Sequence, residues 1–273
     1  DRIESRGLGD VYKRQPEQWS KWAYHGSSSK SVINHPDLFT EDGRNGPLTY
    51  EVELYQGCVR FKRGCKFCIE PKKGIPIWRN ENDILDELNS AIDNGVRNVR
   101  LGGATDIYTY KAEGVEDMEY PIPNPEPILN ILSELRNNEN LDILHVDNAN
   151  PSIIAENLEI SSEITKGMVN HLSDGAVLSF GLESADPNVH NENWLNCNPD
   201  QLITAIRHIN EFGREKGPRG LPKLLPGLNF IAGLNGETKS TYQMNLDLLN
   251  NLRSQELWVR RINIRQVEGL SLI

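Results

Sequence analysis

The sequence predicts an α/β fold in which parallel strands alternate with helices. Short β-prone segments and amphipathic segments alternate from about residue 49 to residue 267. Several of the β-prone segments are long apolar runs, as is typical of parallel strands covered by helices. The 273 residues, 37% hydrophobic and 25% charged, suffice for one large domain. This pattern suits a doubly wound sheet or an open or closed barrel, and it does not choose between them.

The β-prone segments predict six strands. The first, TYEVELYQ, alternates along the chain, and the second, RNVRL, runs directly into a glycine pair. The later strands are LDILHV, AVLSFG, PGLNFIAG and the run that begins at residue 257. We predict strands at 49–56, 97–101, 141–146, 176–181, 226–233 and 257–267.

Helical periodicity predicts five helices between these strands. One face of the first carries Ile84, Leu85, Leu88 and Ile92. Gly95 follows this face and ends the helix. We predict helices at 81–94, 125–137, 151–171, 199–216 and 240–253.

The chain divides into three parts. Residues 1–15 resemble translated adapter sequence, so we expect a non-native segment, with a natural disordered leader as the alternative. Residues 16–48 are polar and contain three consecutive serines, which predicts an irregular N-terminal extension. Residues 49–273 form the predicted core domain. We expect this domain to be truncated at its C-terminus, because the chain stops just after a strand-like run.

Composition narrows the class of protein. A net charge of −10 argues against a chain-wide nucleic-acid clamp. The sequence has no apolar run near the roughly 20 residues that span a bilayer, and no secretory signal pattern, so we expect a cytoplasmic protein without membrane contact. Four cysteines, three of them close together, indicate a metal centre rather than a disulfide framework.

The stretch GCVRFKRGCKFC contains the three clustered cysteines. Six residues separate Cys58 from Cys65, and two separate Cys65 from Cys68. A closed zinc site normally has four ligands, but Cys197 is distant and no histidine lies in the loop. Three thiolates with one open position therefore indicate chemistry rather than structure. Three free or structural thiols in a turn are the alternative, and we expect Cys197 to be structural.

The cysteine loop is locally basic. Residues 58–79 contain seven lysines and arginines and one acid, Glu70. We expect this charge to lower the pKa of the thiols and to stabilise a cluster. It also predicts a docking patch for an acidic electron donor, with a nucleic-acid contact or a solvated charge run as alternatives.

The motif Cys65-Lys66-Phe67-Cys68, directly after the first strand, resembles that of radical S-adenosyl-L-methionine (SAM) enzymes. Their usual spacing is three residues and then two, whereas here it is six and then two. The runs HVDNANP, FGLESADP and RRINIRQV are similar to an archaeal group of radical enzymes of unassigned substrate, which often carry a C-terminal helix-hairpin-helix. The run GLNGET is more distantly similar to the methylthiotransferase-like branch.

The resemblance implies a partial (β/α)6 TIM-like radical SAM barrel with its active site at the C-terminal ends of the strands. It implies a 4Fe-4S cluster on Cys58, Cys65 and Cys68 that reductively cleaves SAM to a 5′-deoxyadenosyl radical. The radical would abstract hydrogen from an unknown substrate, with RNA or another macromolecule among the candidates. Ferredoxin or flavodoxin would supply the electron.

The resemblance also implies which residues contact SAM. The glycine pair would receive the amino group of the methionine moiety, and polar residues after the fourth strand would contact its ribose or carboxylate. Phe67 and the fifth strand would border the adenine. The implied contacts are Phe67, Gly102, Gly103, Glu183, Ser184, Ile231 and Gly233.

Polar residues on the remaining strand ends are candidates for substrate contacts. They are His145, Asp147 and Asn148, with Asn150, after the third strand, and Asn263 and Arg265, with Arg261, on one face of the sixth. Helix capping and turn chemistry are the alternative for the third strand. A salt-bridged exposed face is the alternative for the sixth.

Two other functions stay open at this point. The chain could be a non-catalytic zinc-binding α/β protein, with solvent as the fourth ligand. It could also be an iron–sulfur electron carrier, which would leave the motifs at the other strand ends without a role.

Overall fold

The structure is a computed structural model that describes residues 16–28 and 49–267. The predicted adapter-like segment 1–15, most of the N-terminal extension and residues 268–273 lie outside the described residues. The helices are α1 Pro16–Ser28, α2 Glu81–Asp93, α3 Pro125–Arg136, α4 Pro151–Glu156, α5 Leu158–His171, α6 Pro187–Asn193, α7 Pro199–Gly213 and α8 Lys239–Ser254. The strands are β1 Tyr50–Glu53, β2 Tyr55–Gln56, β3 Ile77–Trp78, β4 Asn98–Gly102, β5 Ile143–Val146, β6 Asn148–Ala149, β7 Ala176–Glu183, β8 Leu224–Ala232 and β9 Arg261–Gln266.

The main sheet of the described residues is parallel and runs in chain order. β1 pairs with β4 and β4 with β5, while β6, β7, β8 and β9 pair in sequence. Only Asp147 separates β5 from β6, and its carbonyl oxygen accepts the backbone N–H of Ser179 at 2.9 Å. Six successive strand positions in chain order are the arrangement of a partial (β/α)6 barrel. The structure thus confirms the predicted fold class and decides against the doubly wound sheet.

The outer face of the sheet packs against the helices. Val52, Leu101 and Val146 are in register on β1, β4 and β5, and all three are buried. Of the predicted apolar face of α2, Ile84, Leu88 and Ile92 are buried, and Leu85 is partly buried against the core. Alternation along each strand therefore sends its apolar side chains outward into one continuous core.

The inner face of the sheet is polar. Glu51, Arg100 and His145 lie side by side in register on β1, β4 and β5. The Arg100 guanidinium lies 3.5 Å from the Glu51 carboxylate. Because the strands are parallel, all their C-terminal ends open at the same rim of the barrel, where loops can carry functional groups.

One prediction about the N-terminal extension is wrong for residues 16–28. They form α1, whereas we expected irregular structure. Pro16 suits the first helical position, and α1 packs against α2, where the Ser27 hydroxyl donates to the carbonyl oxygen of Ser90 at 3.4 Å. Tertiary contact with α2 supports a helix that the polar sequence alone did not reveal.

Other differences concern element boundaries. The predicted helix 151–171 is interrupted at Asn157, which has φ −133° and whose side-chain amide donates to the carbonyl oxygen of Ile153 at 3.1 Å. The first predicted strand is divided at Leu54, since β2 turns away to pair with β3 in an antiparallel ribbon. The short helix α6 was not predicted. No helix of the described residues is long and apolar enough to cross a membrane.

Candidate active site

The cysteine loop is a hairpin that leaves the barrel rim at β2 and returns at β3. The two short strands close its base, where the backbone N–H of Cys58 donates to the carbonyl oxygen of Gly74 at 3.2 Å. Gly57 has φ +90°, and a Cβ atom there would lie 2.7 Å from the same carbonyl oxygen. Only glycine fits this position without strain, so the sequence GC at the start of the loop fixes where the first thiol begins.

The three thiols of the loop line one cavity. Its volume is about 470 Å³, within the roughly 300–1,000 Å³ typical of small-molecule sites. The predicted site residues that line it are Cys58, Cys65, Phe67, Cys68, Gly103, Asp147, Asn148, Asn150, Glu183 and Arg265. These residues come from the loop after β2 and from the ends of β4, β5, β7 and β9. The fold therefore brings together most of the residues predicted from separate motifs.

Burial outweighs positive charge at the thiols. It raises the pKa of Cys58 and Cys68, and it raises the pKa of Cys65 to about 11. Arg60 lowers the pKa of Cys65 but does not offset the burial. Arg60 therefore acts on the pKa of Cys58 and Cys65 in the predicted direction, but burial outweighs it and the pKa of all three thiols is raised. Metal binding must therefore displace protons from these thiols.

Phe67 and Ile231 share a small apolar cluster at the barrel rim. Both pack against a group formed by Val189, Leu195 and Leu234. Phe67 comes from the cysteine loop, and Ile231 comes from the end of β8. Such a surface can hold the face of a flat aromatic ring.

Glu183 ends β7 in a left-handed conformation with φ +68°. Such a backbone angle is uncommon for a residue other than glycine. The Glu183 carboxyl group lies over Gly181, and a Cβ atom built on Gly181 would lie 2.7 Å from Oε1 of Glu183. Burial raises the pKa of Glu183 to about 7, and Arg265 opposes this shift. Ser184, by contrast, is fully buried behind the cavity, where its hydroxyl accepts the backbone N–H of Asp186 at 3.2 Å.

The glycines predicted to contact SAM lie at two strand ends. Gly103 has φ +64° and borders the cavity. Gly102 lies directly before it, against the Glu51 side chain. Gly233 follows β8 and donates its N–H to the Glu237 carboxylate at 2.8 Å. Of these three, Gly103 lines the cavity.

The predicted substrate residues separate into two groups. Asp147, Asn148 and Arg265 line the cavity. His145 and Asn263 do not line it; Asn263 donates to the side chain of Asn229, which does. Burial lowers the pKa of His145, and its Nε2 atom is buried without a hydrogen-bond partner in the described part of the chain.

Asn150 follows the alternative that we left open for the third strand. Its side chain accepts the backbone N–H of Ser152 at 3.0 Å and so caps α4. Cys197 is buried, and its thiol donates to the carbonyl oxygen of Asn198 at 3.2 Å, as expected of a structural cysteine.

Several cavity residues were not predicted. They are Glu51, Arg60, Thr105, Asp106, Asn196 and Asn229. Glu51 and Asn229 occupy inward positions on their strands, so strict two-residue alternation counted from the core face could have revealed them. Asp106 follows the glycine pair within the run GGATD. Its position just after a strand end could have indicated that its carboxylate belongs to the site.

The donor set at the loop fits an iron–sulfur cluster. The three thiols are free and partly buried, and they face one cavity. The described residues contain no group of three or more His, Cys, Asp or Glu side chains that could hold a single metal ion. A cluster distributes its thiolates over different irons and does not require them to converge on one atom.

The fold and the cavity define a partial α/β barrel with a three-cysteine site at its C-terminal rim. A model of the radical SAM superfamily matches residues 52–249. The chain therefore belongs to the radical SAM superfamily. This membership confirms the predicted family and the predicted cofactors, since radical SAM enzymes use a 4Fe-4S cluster and SAM.

The similar proteins include several from archaea. An uncharacterized protein of Methanocaldococcus jannaschii is 38% identical over 257 residues, which are 93% of this chain and 46% of that protein. An uncharacterized protein of Archaeoglobus fulgidus is 38% identical over 256 residues, 92% of this chain and 45% of that protein. These relatives confirm the predicted likeness to an archaeal group. The chain spans less than half the length of these curated relatives.

A more distant relative agrees with the predicted likeness to the methylthiotransferase-like branch. The tRNA-2-methylthio-N(6)-dimethylallyladenosine synthase of Geobacter sulfurreducens is 26% identical over 229 residues, 81% of this chain and 44% of that protein. Among solved structures, a match is coproporphyrinogen III oxidase (HemN) from Escherichia coli, described as a radical SAM enzyme. The match covers 81% of this chain and 44% of the HemN chain. That match has 16% identity and a TM-score of 0.49.

Proposed function

We propose that this chain is the catalytic core of a radical SAM enzyme that acts on a molecule bound beside its cysteine loop. One observation carries the proposal. Three free cysteines and three of the implied SAM contacts, Phe67, Gly103 and Glu183, line one cavity although they come from three different strand ends. A structural metal site would give no reason for this convergence.

The cysteines would hold the cluster, which supplies the electron for reductive cleavage of SAM when both are bound. Cys58, Cys65 and Cys68 present thiolates from a loop whose base is fixed by the β2–β3 ribbon. Arg60 belongs to this loop, and its guanidinium adds positive charge beside the Cys65 thiol. The chain thus supplies three of the four positions around a cluster and leaves the fourth open for SAM.

The remaining residues would orient SAM. Phe67 and Ile231 offer an apolar surface for adenine, and Gly103, which borders the cavity, would receive the methionine end. Glu183 presents its carboxylate to a ribose hydroxyl. Gly102, Ser184 and Gly233 do not line the cavity and would shape the backbone of the residues that do. Orientation of this kind, together with exclusion of water, is the main contribution of a protein to cofactor chemistry.

The substrate would bind near Asp147, Asn148 and Arg265, with His145 and Asn263 deeper on the inner face. RNA stays a candidate through the relative named as a tRNA-modifying synthase. An acidic flavodoxin or ferredoxin would deliver the electron at the basic loop, in the cytoplasm. The exposed side chains of Lys62 and Arg63 could meet such a donor.

Anaerobic reconstitution tests the proposal. We expect about four irons and four sulfides per chain, a brown colour that bleaches on reduction, and 5′-deoxyadenosine after dithionite and SAM are added. Single Cys→Ala changes at 58, 65 or 68 should abolish both cluster and product, whereas Cys197→Ala should preserve both. One colourless zinc per chain would favour the zinc-binding alternative. A cluster without 5′-deoxyadenosine would favour the electron carrier.

A further inference from the structure

Asp106 is a buried carboxylate on the cavity wall that the proposed function leaves without a role. Its side chain is 2% exposed. Oδ1 accepts the backbone N–H groups of Tyr108 and Asn150, both at 3.0 Å, so the carboxylate is held in place. Oδ2 is buried and has no hydrogen-bond partner among residues 16–28 and 49–267. A buried polar atom without a partner calls for a ligand or a water molecule.

Two other carboxylates of the cavity wall already have cationic partners. Glu70 forms an ion pair with Lys73 at 2.6 Å, and Glu51 lies 3.5 Å from Arg100. These two carboxylates are therefore neutralised by neighbouring cations within the protein.

The remaining acidic groups of the cavity wall are Glu183, Asp147 and Asp106. Glu183 interacts with Arg265. The side chain of Asp147 accepts the hydroxyl of Ser179 at 3.4 Å, and in the described part of the chain neither Asp147 nor Asp106 forms an ion pair. Arg261 donates to the same Ser179 hydroxyl at 2.9 Å, so its guanidinium lies one hydroxyl away from Asp147. Within the described residues, neither Asp147 nor Asp106 thus has a direct cationic partner.

We infer that Asp106 and Asp147 bind a protonated amine of the substrate. The inference rests on the proposed function, which requires a second molecule in this cavity besides SAM. An ammonium group would give Oδ2 of Asp106 a charge-assisted hydrogen bond and would offset the cost of burying the carboxylate. A phosphate or carboxylate would meet like charge there. The substrate class is therefore an amine-bearing molecule that enters with its cationic group first.

Three probes of equal length test this inference on the reconstituted, SAM-bound protein. They are butylammonium, 1-butanol and butyrate, and their dissociation constants can be measured by ligand-observed NMR titration. We expect butylammonium to bind more tightly than either of the other two. At pH 8, where the Asp106 carboxyl is largely ionised, Asp106→Asn should weaken butylammonium about tenfold or more, since it removes the charge but keeps an oxygen for the Tyr108 and Asn150 N–H groups.

A matched variant separates a specific contact from general electrostatics. Glu51→Gln removes one negative charge from the same cavity, at a carboxylate that already faces Arg100, and should weaken butylammonium much less. Asp147→Asn should weaken it to an intermediate extent. If circular dichroism shows that Asp106→Asn does not fold, the affinity of Asp147→Asn for butylammonium is the test of the inference.

The outcomes distinguish the inference from the proposed function. Failure to assemble a cluster or to release 5′-deoxyadenosine would refute the proposed function whatever the probes do. With both present, butyrate binding as well as butylammonium, no measurable butylammonium binding, or equal effects of Asp106→Asn and Glu51→Gln would overturn the inference. It would also be overturned if Asp106→Asn weakened SAM tenfold and left butylammonium unchanged, because Asp106 would then serve the cofactor.

Discussion

The guanidinium of Arg60 contacts the sulfur of Cys65, with 3.6 Å between Nη1 and Sγ. The same nitrogen donates to the carbonyl oxygen of Trp194 at 3.0 Å. Trp194 ends α6 in a left-handed conformation with φ +54°. Arg60 therefore connects a predicted cluster ligand to the rim of the barrel, and it does so with a positive charge.

Arg60→Ala should make the cluster harder to reduce. A cation that donates to a cluster thiolate stabilises the reduced, more negative state, so its loss should lower the midpoint potential by tens of millivolts. Anaerobic redox titration followed by electron paramagnetic resonance measures this shift. Arg63→Ala is the control, because Arg63 stacks on the Trp194 ring at 5.6 Å. Equal potentials in the two variants would show that the Arg60 contact has no electronic effect.

Gly57→Ala should destabilise the cysteine loop more than Gly74→Ala. Both glycines have positive φ, but a Cβ at Gly57 would lie 2.7 Å from a backbone oxygen, whereas a Cβ at Gly74 would meet nothing within 4 Å. We expect the free energy of unfolding to fall by about 1–3 kcal/mol more for Gly57→Ala. Urea unfolding gives the difference. The iron content of reconstituted Gly57→Ala should fall as well, and a larger loss for Gly74→Ala would contradict this account of the loop.

Phe67→Ala should weaken SAM without removing the cluster. A stacked base contributes about 1–3 kcal/mol, so we expect the dissociation constant of SAM to rise roughly tenfold at unchanged iron content. Isothermal titration under anaerobic conditions measures the constant. Phe61→Ala is a matched control from the same loop, since Phe61 packs against Val59, Ala112 and Val115 instead. Similar losses for both variants would indicate a general loosening of the loop.

Asp106 should make the stability of the protein depend on pH. Burial raises the pKa of its carboxyl from 3.8 to about 7, so between these values the native state retains a proton that the unfolded chain releases. The stability from this group is present below about pH 4 and is lost as the pH rises towards 7.

Asp106→Asn removes this titration. Relative to wild type, the variant should gain roughly 2–3 kcal/mol in free energy of unfolding between pH 5 and pH 8. Urea unfolding of both proteins at the two pH values measures the change, in which other titrating groups cancel. Glu159→Gln, at the start of α5, should follow the wild-type profile. A constant difference between wild type and Asp106→Asn would disprove the assignment.

Local sequence was sufficient for most of the elements and for the proximity of the three loop cysteines. Alternation and helical periodicity report which side chains face a core, so three of the four residues predicted for the apolar face of α2 are buried and the fourth, Leu85, is partly buried. The cysteines lie within eleven residues, and a short loop can bring them to one cavity whatever the rest of the chain does. The short helix α6 and the β2–β3 ribbon were missed, because they depend on partners distant in sequence.

Tertiary structure decided what the cavity contains. The sequence by itself determined an alternating α/β chain, a three-thiol loop and glycine or polar residues after particular strands. Only parallel pairing in chain order turned these strand ends towards one rim, which brought Glu183 and Arg265 together and left Ser184 behind the wall. Burial is likewise a property of the whole fold: it raises the pKa of the loop thiols despite the basic sequence around them. It also leaves one oxygen of Asp106 without a partner, because desolvation depends on every element packed around a group rather than on its neighbours in the chain.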